Sequence, residues 1–272
     1  MTAAEAQGAP RVRVSGDGHV AVVALARPER HNALDLELLD ALATAADRLS
    51  QRREVRAVVL CGEGPSFCSG LDAGSVLAAA GGPAGLERWL RAPVPNRFQR
   101  AAHAWLALPV PVIAAIHGAC FGGGLQIALA ADLRIAAPDA RLSVMEVRLG
   151  LIPDMSITRT LPRLVRSDVA RELTYTGREL DGLEAQALGL VTRVAADPLG
   201  AAMQLAGEIA ARSPDAVRAA KRLYELAWTG EAQRTLALEA ELQLGLVGTP
   251  NQLEAASAWA QRREPRFRDG AR

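Results

Sequence analysis

The sequence predicts an α/β fold, because short apolar runs typical of buried strands alternate with segments that have helical periodicity. The apolar runs cover residues 56–61, 111–116 and 133–136, and the first two end near a glycine. Of the 272 residues, 50% are hydrophobic and 22% are charged, which is the balance of an ordinary globular protein.

The N-terminal elements follow in order. Residues 11–15 and 19–25 alternate polar and apolar side chains around a Gly-Asp-Gly turn, which predicts a β-hairpin. Asp35 can cap a helix that runs to about Arg53, because four apolar side chains recur on one face. Residues 74–95 are rich in Ala, Gly and Pro and have little periodicity, which favours a mobile lid or a frayed helix.

The C-terminal part has a different character, because it reads as successive helices. These are predicted over residues 199–212, 214–228, 231–247 and 252–263, separated by Ser-Pro, Thr-Gly and Thr-Pro pairs. We therefore place a domain boundary near residue 200, with an α/β core over residues 1–200 and a helical region over residues 201–272.

Charge and composition exclude several classes of protein. A formal net charge of +1 and 4% aromatic residues argue against nucleic-acid or membrane partners, and no apolar stretch has the length of a membrane span. Residues 1–10 lack the pattern of a signal peptide. Cys61, Cys68 and Cys120 have no metal-ligand spacing and are expected to be buried thiols in a reducing compartment, so we expect a cytoplasmic protein without a metal site.

Two glycine-containing loops and two acids are the candidate chemical groups. The loops cover residues 66–72 and 117–126, and the acids are Glu146 and Asp154. Glycines expose backbone N–H groups, which can stabilise a negative oxygen, while carboxylates move protons beside it. That combination indicates chemistry on a carbonyl compound, although each loop taken alone is also compatible with an ordinary tight turn.

Five segments in order resemble the crotonase (enoyl-CoA hydratase/isomerase) superfamily, and together they span nearly the whole chain. They are residues 27–34, 67–72, 117–126, 131–136 and 258–267. The resemblance implies a spiral of strand-strand-helix turns and a helical C-terminal region that trimerises the protein, giving a homotrimer or a hexamer. It also implies an acyl-CoA thioester substrate, with coenzyme A as part of that substrate and no separate cofactor.

The resemblance assigns roles to particular positions. It implies that the backbone N–H groups of Leu71 and Gly123 form an oxyanion hole for the thioester carbonyl. It further implies a coenzyme A site lined by six residues: Arg27, Arg30, His31, Ala33, Ser69 and Asp72. The two arginines could meet phosphates or could be solvated surface charges.

The acids do not match the hydratase pattern. Hydratases of the family carry two glutamates, and the first of these positions is Gln126 here, while the second is Glu146. An amide can orient water but cannot carry a proton at neutral pH. The interval from Glu146 to Asp154 resembles that of the dienoyl-CoA isomerase branch, although that branch has Asp at the position of Gln126. Simple enoyl-CoA isomerases need only the carboxylate at the Glu146 position.

Structural alternatives exist for several of these residues. Glu146 could be a surface residue at a strand end, and Asp154 could cap a helix over residues 155–164. Asp132 is expected to support structure, and His31 and His117 to pack in loops.

The leading hypothesis is an acyl-CoA double-bond isomerase with Glu146 as acid/base and Asp154 as its partner. The alternatives are a hydratase in which Gln126 positions water, and a non-catalytic acyl-CoA-binding protein.

Overall fold

The computed structural model describes residues 10–16, 18–227 and 230–269. Three predictions therefore fall outside the described residues: the absent signal sequence over residues 1–9, the turn residue Asp17, and the helix end at Trp228 and Thr229. Within the described ranges, no helix has both the length and the apolar character needed to cross a membrane.

Strands and helices alternate along the chain. The strands are β1 (Val12–Ser15), β2 (Val20–Leu25), β3 (Ala57–Gly62), β4 (Val112–Ile116), β5 (Ala119–Phe121), β6 (Leu133–Ala136), β7 (Arg141–Ser143) and β8 (Arg193–Val194). The first α-helices are α1 (Leu36–Ser50), α2 (Ala73–Ala79), α3 (Pro83–Leu90), α4 (Arg97–Leu106), α5 (Gly123–Leu129) and α6 (Ile157–Leu164). The later ones are α7 (Ser167–Thr176), α8 (Gly182–Ala187), α9 (Pro198–Ala210), α10 (Pro214–Ala227), α11 (Ala232–Leu246) and α12 (Pro250–Gln261). Two 3₁₀ turns cover Pro28–Arg30 and Glu146–Leu149.

Two sheets organise the α/β core. The larger sheet has the order β1-β2-β3-β4-β6-β8, and the smaller one pairs β5 with β7. The β1–β2 pair is antiparallel, so the predicted hairpin is confirmed, and every other pair is parallel. Because β4 and β6 each continue directly into a strand of the small sheet, the chain winds as a spiral, and the predicted fold class is confirmed.

The larger sheet is buried on both faces, as its apolar runs require. One face packs against helices that include α1 and α4, where Leu39 and Trp105 are completely buried. The other face packs against α9 through Ala202 and Ala206, whose small side chains let the helix approach closely. The boundary predicted near residue 200 falls inside α9, and the division into two domains stays a prediction.

Helix ends follow local capping chemistry. The Asp35 side chain accepts the N–H of Leu38 at 2.8 Å, so the predicted cap of α1 is confirmed, although α1 ends at Ser50. In α12 the cap is Thr249, so this helix begins two residues before its predicted start at Gln252. Residues 74–95 hold most of α2 and all of α3, so this segment forms two separate short helices and the expectation of a single frayed helix is wrong. A mobile lid stays a prediction.

Helix α4 was not predicted. Asn96 and Gln99 form a capping box at its start, in which each side chain bonds the backbone of the other residue. An Asn followed three positions later by Gln is the local signal that could have identified this helix.

The only lysine of the chain joins α10 to the core. Lys221 Nζ donates to Asp132 Oδ2 at 2.7 Å and to Val110 O at 2.9 Å. Asp132 Oδ2 also accepts the N–H of Val112 at the start of β4, at 2.7 Å. Asp132 therefore has the structural surroundings that the sequence predicted for it.

Removing this lysine should destabilise the fold. Lys221→Met removes a buried ammonium and its hydrogen bonds to Asp132 and Val110, while Asp132 stays open to solvent and can be hydrated. We therefore expect the free energy of unfolding to fall by about 1–2 kcal/mol. Denaturant unfolding measures this change. Arg222→Met is the matched control, because Arg222 is exposed and lies 3.9 Å from Glu241, and it should change stability by less than about 0.5 kcal/mol. Equal losses in the two variants would contradict the prediction.

Candidate active site

The loops that follow β3 and β4 lie side by side because their backbones pair. Cys68 donates its N–H to Ala119 O at 3.0 Å. A β-carbon added to Gly70 would lie 2.9 Å from Phe121 O and 4.0 Å from Gly123 N. The φ of Gly70 is +97°, a conformation that glycine adopts readily. The two loops therefore bring their backbone N–H groups to one place.

Two of these N–H groups are free. Those of Leu71 and Gly123 donate to no protein acceptor in the part of the chain that the structure describes. By contrast, the N–H of Gly122 donates to Ser143 O at 2.9 Å, and that of Asp72 is also bonded within the fold. Paired free N–H groups can stabilise a developing oxyanion. The oxyanion role of Leu71 and Gly123 stays a prediction that this geometry supports.

Glu146 lies beside the same glycine loop, at the start of the 3₁₀ turn that follows β7. A β-carbon added to Gly122 would lie 3.2 Å from Glu146 Oε1. Oε1 accepts a hydrogen bond from Gln126 Nε2 at 2.7 Å. Oε2 is buried and has no hydrogen-bond partner among the described residues. An unpartnered buried carboxylate oxygen is costly, which is a reason to suspect a functional role, and the alternative that Glu146 is a surface residue is wrong.

The pKa of Glu146 is raised above its ordinary value. Burial is the largest cause, and the nearby charge of Asp154 adds to it, while hydrogen bonds from its own backbone and from Gln126 act in the opposite direction. A carboxyl group with a raised pKa exchanges protons more readily near neutral pH than an ordinary glutamate does. The surroundings of Glu146 therefore suit a general acid or base.

Asp154 lies in the loop before α6, and burial raises its pKa as well. The residue is nevertheless open to solvent at the surface of the chain, so water stabilises its charged form better than that of Glu146. The alternative that Asp154 caps α6 is wrong. The helix begins at Ile157 after Ser156, and no α6 N–H among the described residues donates to Asp154. Gln126 bonds both Glu146 and the backbone of Met155, the residue after Asp154, so the two segments that carry the acids lie side by side.

Gln126 is buried within α5 and uses both ends of its amide inside the protein. Its Nε2 donates to Glu146, and its Oε1 accepts the N–H of Met155 at 2.7 Å. The sequence indicated a residue that could orient water. The structure instead shows a side chain occupied by protein partners on both sides.

A groove of about 370 Å³ opens next to Leu71 and is lined by most of the predicted coenzyme A site. The predicted residues that line it are Arg30, His31, Ala33, Ser69 and Asp72. Arg30 is exposed at the groove, 3.7 Å from Asp72 Oδ2, so its guanidinium can reach an incoming anion. A role for these residues in binding coenzyme A stays a prediction.

Arg27 has a different position from Arg30. Its side chain is only 10% exposed, and its Nη1 donates to Asp72 Oδ2 and to Ala33 O, both at 2.9 Å. The alternative that Arg27 is a solvated surface charge is therefore wrong. Its bond to Asp72 holds the pKa of that carboxyl below its usual value, and Asp72 also caps α2 by accepting the N–H of Ser75. Arg27 thus fixes the positions of Ala33 and Asp72, which both line the groove.

Cavity size alone would indicate a different place. A cavity of about 1010 Å³ lies between α1, α4, α10 and α11 and contains none of the predicted site residues. The candidate active site lies instead at the free N–H groups and the unpartnered carboxylate oxygen, because these groups can stabilise an oxyanion and transfer a proton.

The sequence did not identify the residues that hold the first loop in place. Asn32 is completely buried, and its Nδ2 donates to Ser66 O at 2.8 Å and to Glu63 O at 2.9 Å. Ser66 Oγ in turn contacts His31 Nδ1 at 3.0 Å. The φ of Asn32 is +54°, a conformation that asparagine tolerates, and no local pattern reveals its partners. His117 bonds Gly64 O, in agreement with the loop role predicted for it.

The fold and the site define an α/β enzyme that places free backbone donors near the buried carboxylate oxygen of Glu146. The family model described as enoyl-CoA hydratase/isomerase matches residues 15–270, and the chain belongs to this family of acyl-CoA enzymes. An enoyl-CoA hydratase structure from Bacillus anthracis superposes with a TM-score of 0.88 at 33% identity, covering 96% of this chain and all of that one.

Relatives include proteins with different named reactions. The Bacillus subtilis protein YngF, named as an enoyl-CoA hydratase/isomerase, is 36% identical over 90% of this chain and 93% of its own length. The mouse mitochondrial methylglutaconyl-CoA hydratase is 32% identical over 92% of this chain and 79% of its own. The rat mitochondrial Δ(3,5)-Δ(2,4)-dienoyl-CoA isomerase is 36% identical over 76% of this chain and 66% of its own. Similarity alone therefore does not choose between hydration and isomerisation.

The raised pKa of Glu146 has a consequence for stability. The folded protein binds more protons at this position than the unfolded chain between the unfolded and the folded pKa, so stability falls as pH rises through that window. Above the folded pKa the penalty is fully present. Glu146→Gln removes the ionisation, and we expect a higher melting temperature than wild type at pH 8. The gain should shrink as pH falls through the folded pKa and should be absent below the unfolded pKa of about 4.3. A gain that is the same at every pH would contradict this origin.

Proposed function

We propose that this protein moves a double bond along an acyl-CoA chain by carboxylate acid/base catalysis. The observation that carries the proposal is the buried, unpartnered Oε2 of Glu146, whose carboxyl group lies beside Gly122, the residue before the free N–H of Gly123. Removing a proton α or γ to a thioester carbonyl requires a base with a free oxygen close to a donor that stabilises the oxyanion.

The proposed reaction has two proton steps. The thioester oxygen accepts hydrogen bonds from the N–H groups of Leu71 and Gly123, which acidifies a C–H bond conjugated to the carbonyl. Glu146 Oε2 takes that proton, and the electron pair of the C–H bond moves onto the thioester oxygen as an enolate or dienolate. The enolate then collapses as a proton is added at the far end of the conjugated system, so the double bond shifts and no atom is gained or lost.

The second proton donor depends on the substrate. In a simple enoyl-CoA the protonated Glu146 can return its own proton to a nearby carbon. In a conjugated dienoyl-CoA the two ends lie further apart, and Asp154 is the second titratable group near Glu146. Burial raises the pKa of Asp154, so this carboxyl group keeps a proton to higher pH than an ordinary aspartate does.

The contacts of Gln126 favour isomerisation over hydration. Hydration needs a water held and activated between two groups, and Gln126 would have to give up its bond to Met155 or to Glu146 to hold one. The hydratase with Gln126 as the water-positioning group remains the second candidate function, supported by the methylglutaconyl-CoA hydratase relatives. A non-catalytic acyl-CoA-binding protein is the third.

Asp154→Asn tests the proposed pair. With a 3,5-dienoyl-CoA, wild type should shift the conjugation absorbance rapidly, and the variant should lower kcat by about 10²-fold with little change in KM. Asp139→Asn, at an exposed aspartate in the turn before β7, is the control and should keep full activity. Full activity in Asp154→Asn would remove Asp154 from the mechanism, and no isomerisation by wild type would refute the proposed function.

The assembly and the cellular compartment are also proposals. Several large apolar side chains on α11 and α12 are exposed in the single chain, including Leu244 at 76% and Trp259 at 87%. A second and third copy covering them would give the trimer, or the hexamer built from two trimers.

The described chain holds three buried free thiols, and burial raises the pKa of Cys61 to about 11 and of Cys68 to about 12. Unpaired buried thiols fit a reducing compartment such as the cytoplasm.

A further inference from the structure

Gln126 connects the two segments that carry the acids. Its side chain is 2% exposed on α5, where it reaches Glu146 on the 3₁₀ turn and the backbone of Met155, the residue that follows Asp154. Both hydrogen bonds are 2.7 Å long. One buried amide is therefore the shared partner of the segments whose carboxyl groups the proposed reaction needs.

The orientation of this amide is fixed by its partners. The Met155 backbone nitrogen can only donate, so it must face the amide oxygen, and the amide nitrogen must then face Glu146. That nitrogen can only donate as well. Glu146 Oε1 is consequently held as an acceptor, and a proton taken up by Glu146 has to reside on Oε2.

We propose that Gln126 is a positioning residue that makes Oε2 the single working oxygen of Glu146 and holds the Asp154 loop at its working distance. This inference rests on the proposed function, because it describes how the same two acids are prepared. A neutral amide suits this role, because it fixes Glu146 without adding a proton of its own. A carboxylate at position 126 would instead share a proton with Glu146 across a distance of about 2.7 Å.

Few other charges act on Glu146. Asp154 approaches it from the loop before α6 and raises its pKa. Arg148, on the same 3₁₀ turn, is directed to Glu179, at 3.7 Å. From α5 the group that faces Glu146 is the neutral amide of Gln126. A change of charge at position 126 should therefore appear directly in the titration of Glu146.

Two variants separate positioning from simple packing. Gln126→Glu keeps the shape and the acceptor for Met155 but introduces a second carboxyl group. Gln126→Leu removes both hydrogen bonds and replaces the amide with an apolar side chain of similar size. Gln186→Glu, at an exposed glutamine on α8, is the matched control for added charge.

The experiment combines a titration with kinetics. The carboxyl carbon of Glu146, assigned with Glu146→Gln, is titrated by NMR in each protein, and kcat and KM are measured against pH with a 3,5-dienoyl-CoA. In Gln126→Glu we expect the pKa of Glu146 and the matching limb of the pH–rate profile to move upward together. In Gln126→Leu we expect kcat to fall by about 10–100-fold with KM changed less than about threefold. The Gln186→Glu control should match wild type in both measurements.

The outcomes are distinguishable from those that test the reaction itself. An unchanged Glu146 titration in Gln126→Glu, or a Gln126→Leu protein that is less stable but has wild-type kcat and pH profile, would overturn the positioning role. A wild-type protein without isomerase activity would refute the proposed reaction, while the titration, which needs no turnover, still decides whether Gln126 controls Glu146.

Discussion

Replacing Glu146 with Gln is expected to lower kcat for isomerisation by about 10³-fold while leaving acyl-CoA affinity within a few-fold of wild type. The carboxylate is the proposed base, and its Oε2 has no other partner among the described residues. The amide keeps the shape and the acceptor for Gln126, so the site should stay assembled. Conjugation absorbance gives kcat, and calorimetric titration with a saturated acyl-CoA gives Kd.

The control for this substitution is Glu208→Gln, which makes the same chemical change at an exposed position on α9. It should retain wild-type kcat and Kd. Turnover near the wild-type rate in Glu146→Gln would remove Glu146 from the mechanism. A parallel loss of acyl-CoA binding would instead point to a binding role for this carboxylate.

Replacing Gly70 with Ala is expected to disable the oxyanion site. The φ of Gly70 is +97°, and the added methyl carbon would lie 2.9 Å from Phe121 O, a backbone atom that cannot rotate away. The loops must separate, which moves the Leu71 N–H away from that of Gly123. We expect kcat to fall by about 10² to 10³-fold, as for loss of one oxyanion donor, and stability to fall by about 1–3 kcal/mol.

Gly74→Ala provides the matched control only four positions away. Gly74 lies inside α2, and nothing lies within 4 Å of an added β-carbon there. Because alanine is the better helix former, this variant should be more stable by about 0.5–1 kcal/mol and fully active. Equal kcat values in Gly70→Ala and Gly74→Ala would show that the spacing of the two loops does not matter to the reaction.

The parts of the fold that local sequence determines could be predicted. The hairpin of β1 and β2 follows from its turn residues, and β3, β4 and β6 follow from apolar runs that only a sheet buried on both faces requires. The short strands β5, β7 and β8 could not be found this way. They have two or three residues each, and they exist because a distant partner pairs with them.

The candidate site shows the same division. Glu146 and Asp154 could be proposed from residue type, order and resemblance, because carboxylates near glycine loops suit few other roles. The bond between Gln126 and Met155 could not, since it depends on where the loop before α6 returns to α5. Likewise the burial of Arg27 depends on Asp72, which follows it by 45 residues. These contacts are non-local, and no periodicity predicts them.

The most direct test of the central claim is the fate of solvent oxygen. Purified protein is incubated in oxygen-18 water with a 3-enoyl-CoA or a 3,5-dienoyl-CoA, and the masses of the products are measured by mass spectrometry. A double-bond shift catalysed by Glu146 predicts conjugated products of unchanged mass, formed by wild type and lost in Glu146→Gln. A 3-enoyl-CoA left unchanged, together with rapid formation of a 3-hydroxyacyl-CoA that carries the heavy oxygen from a 2-enoyl-CoA tested in parallel, would contradict the proposal and identify the protein as a hydratase.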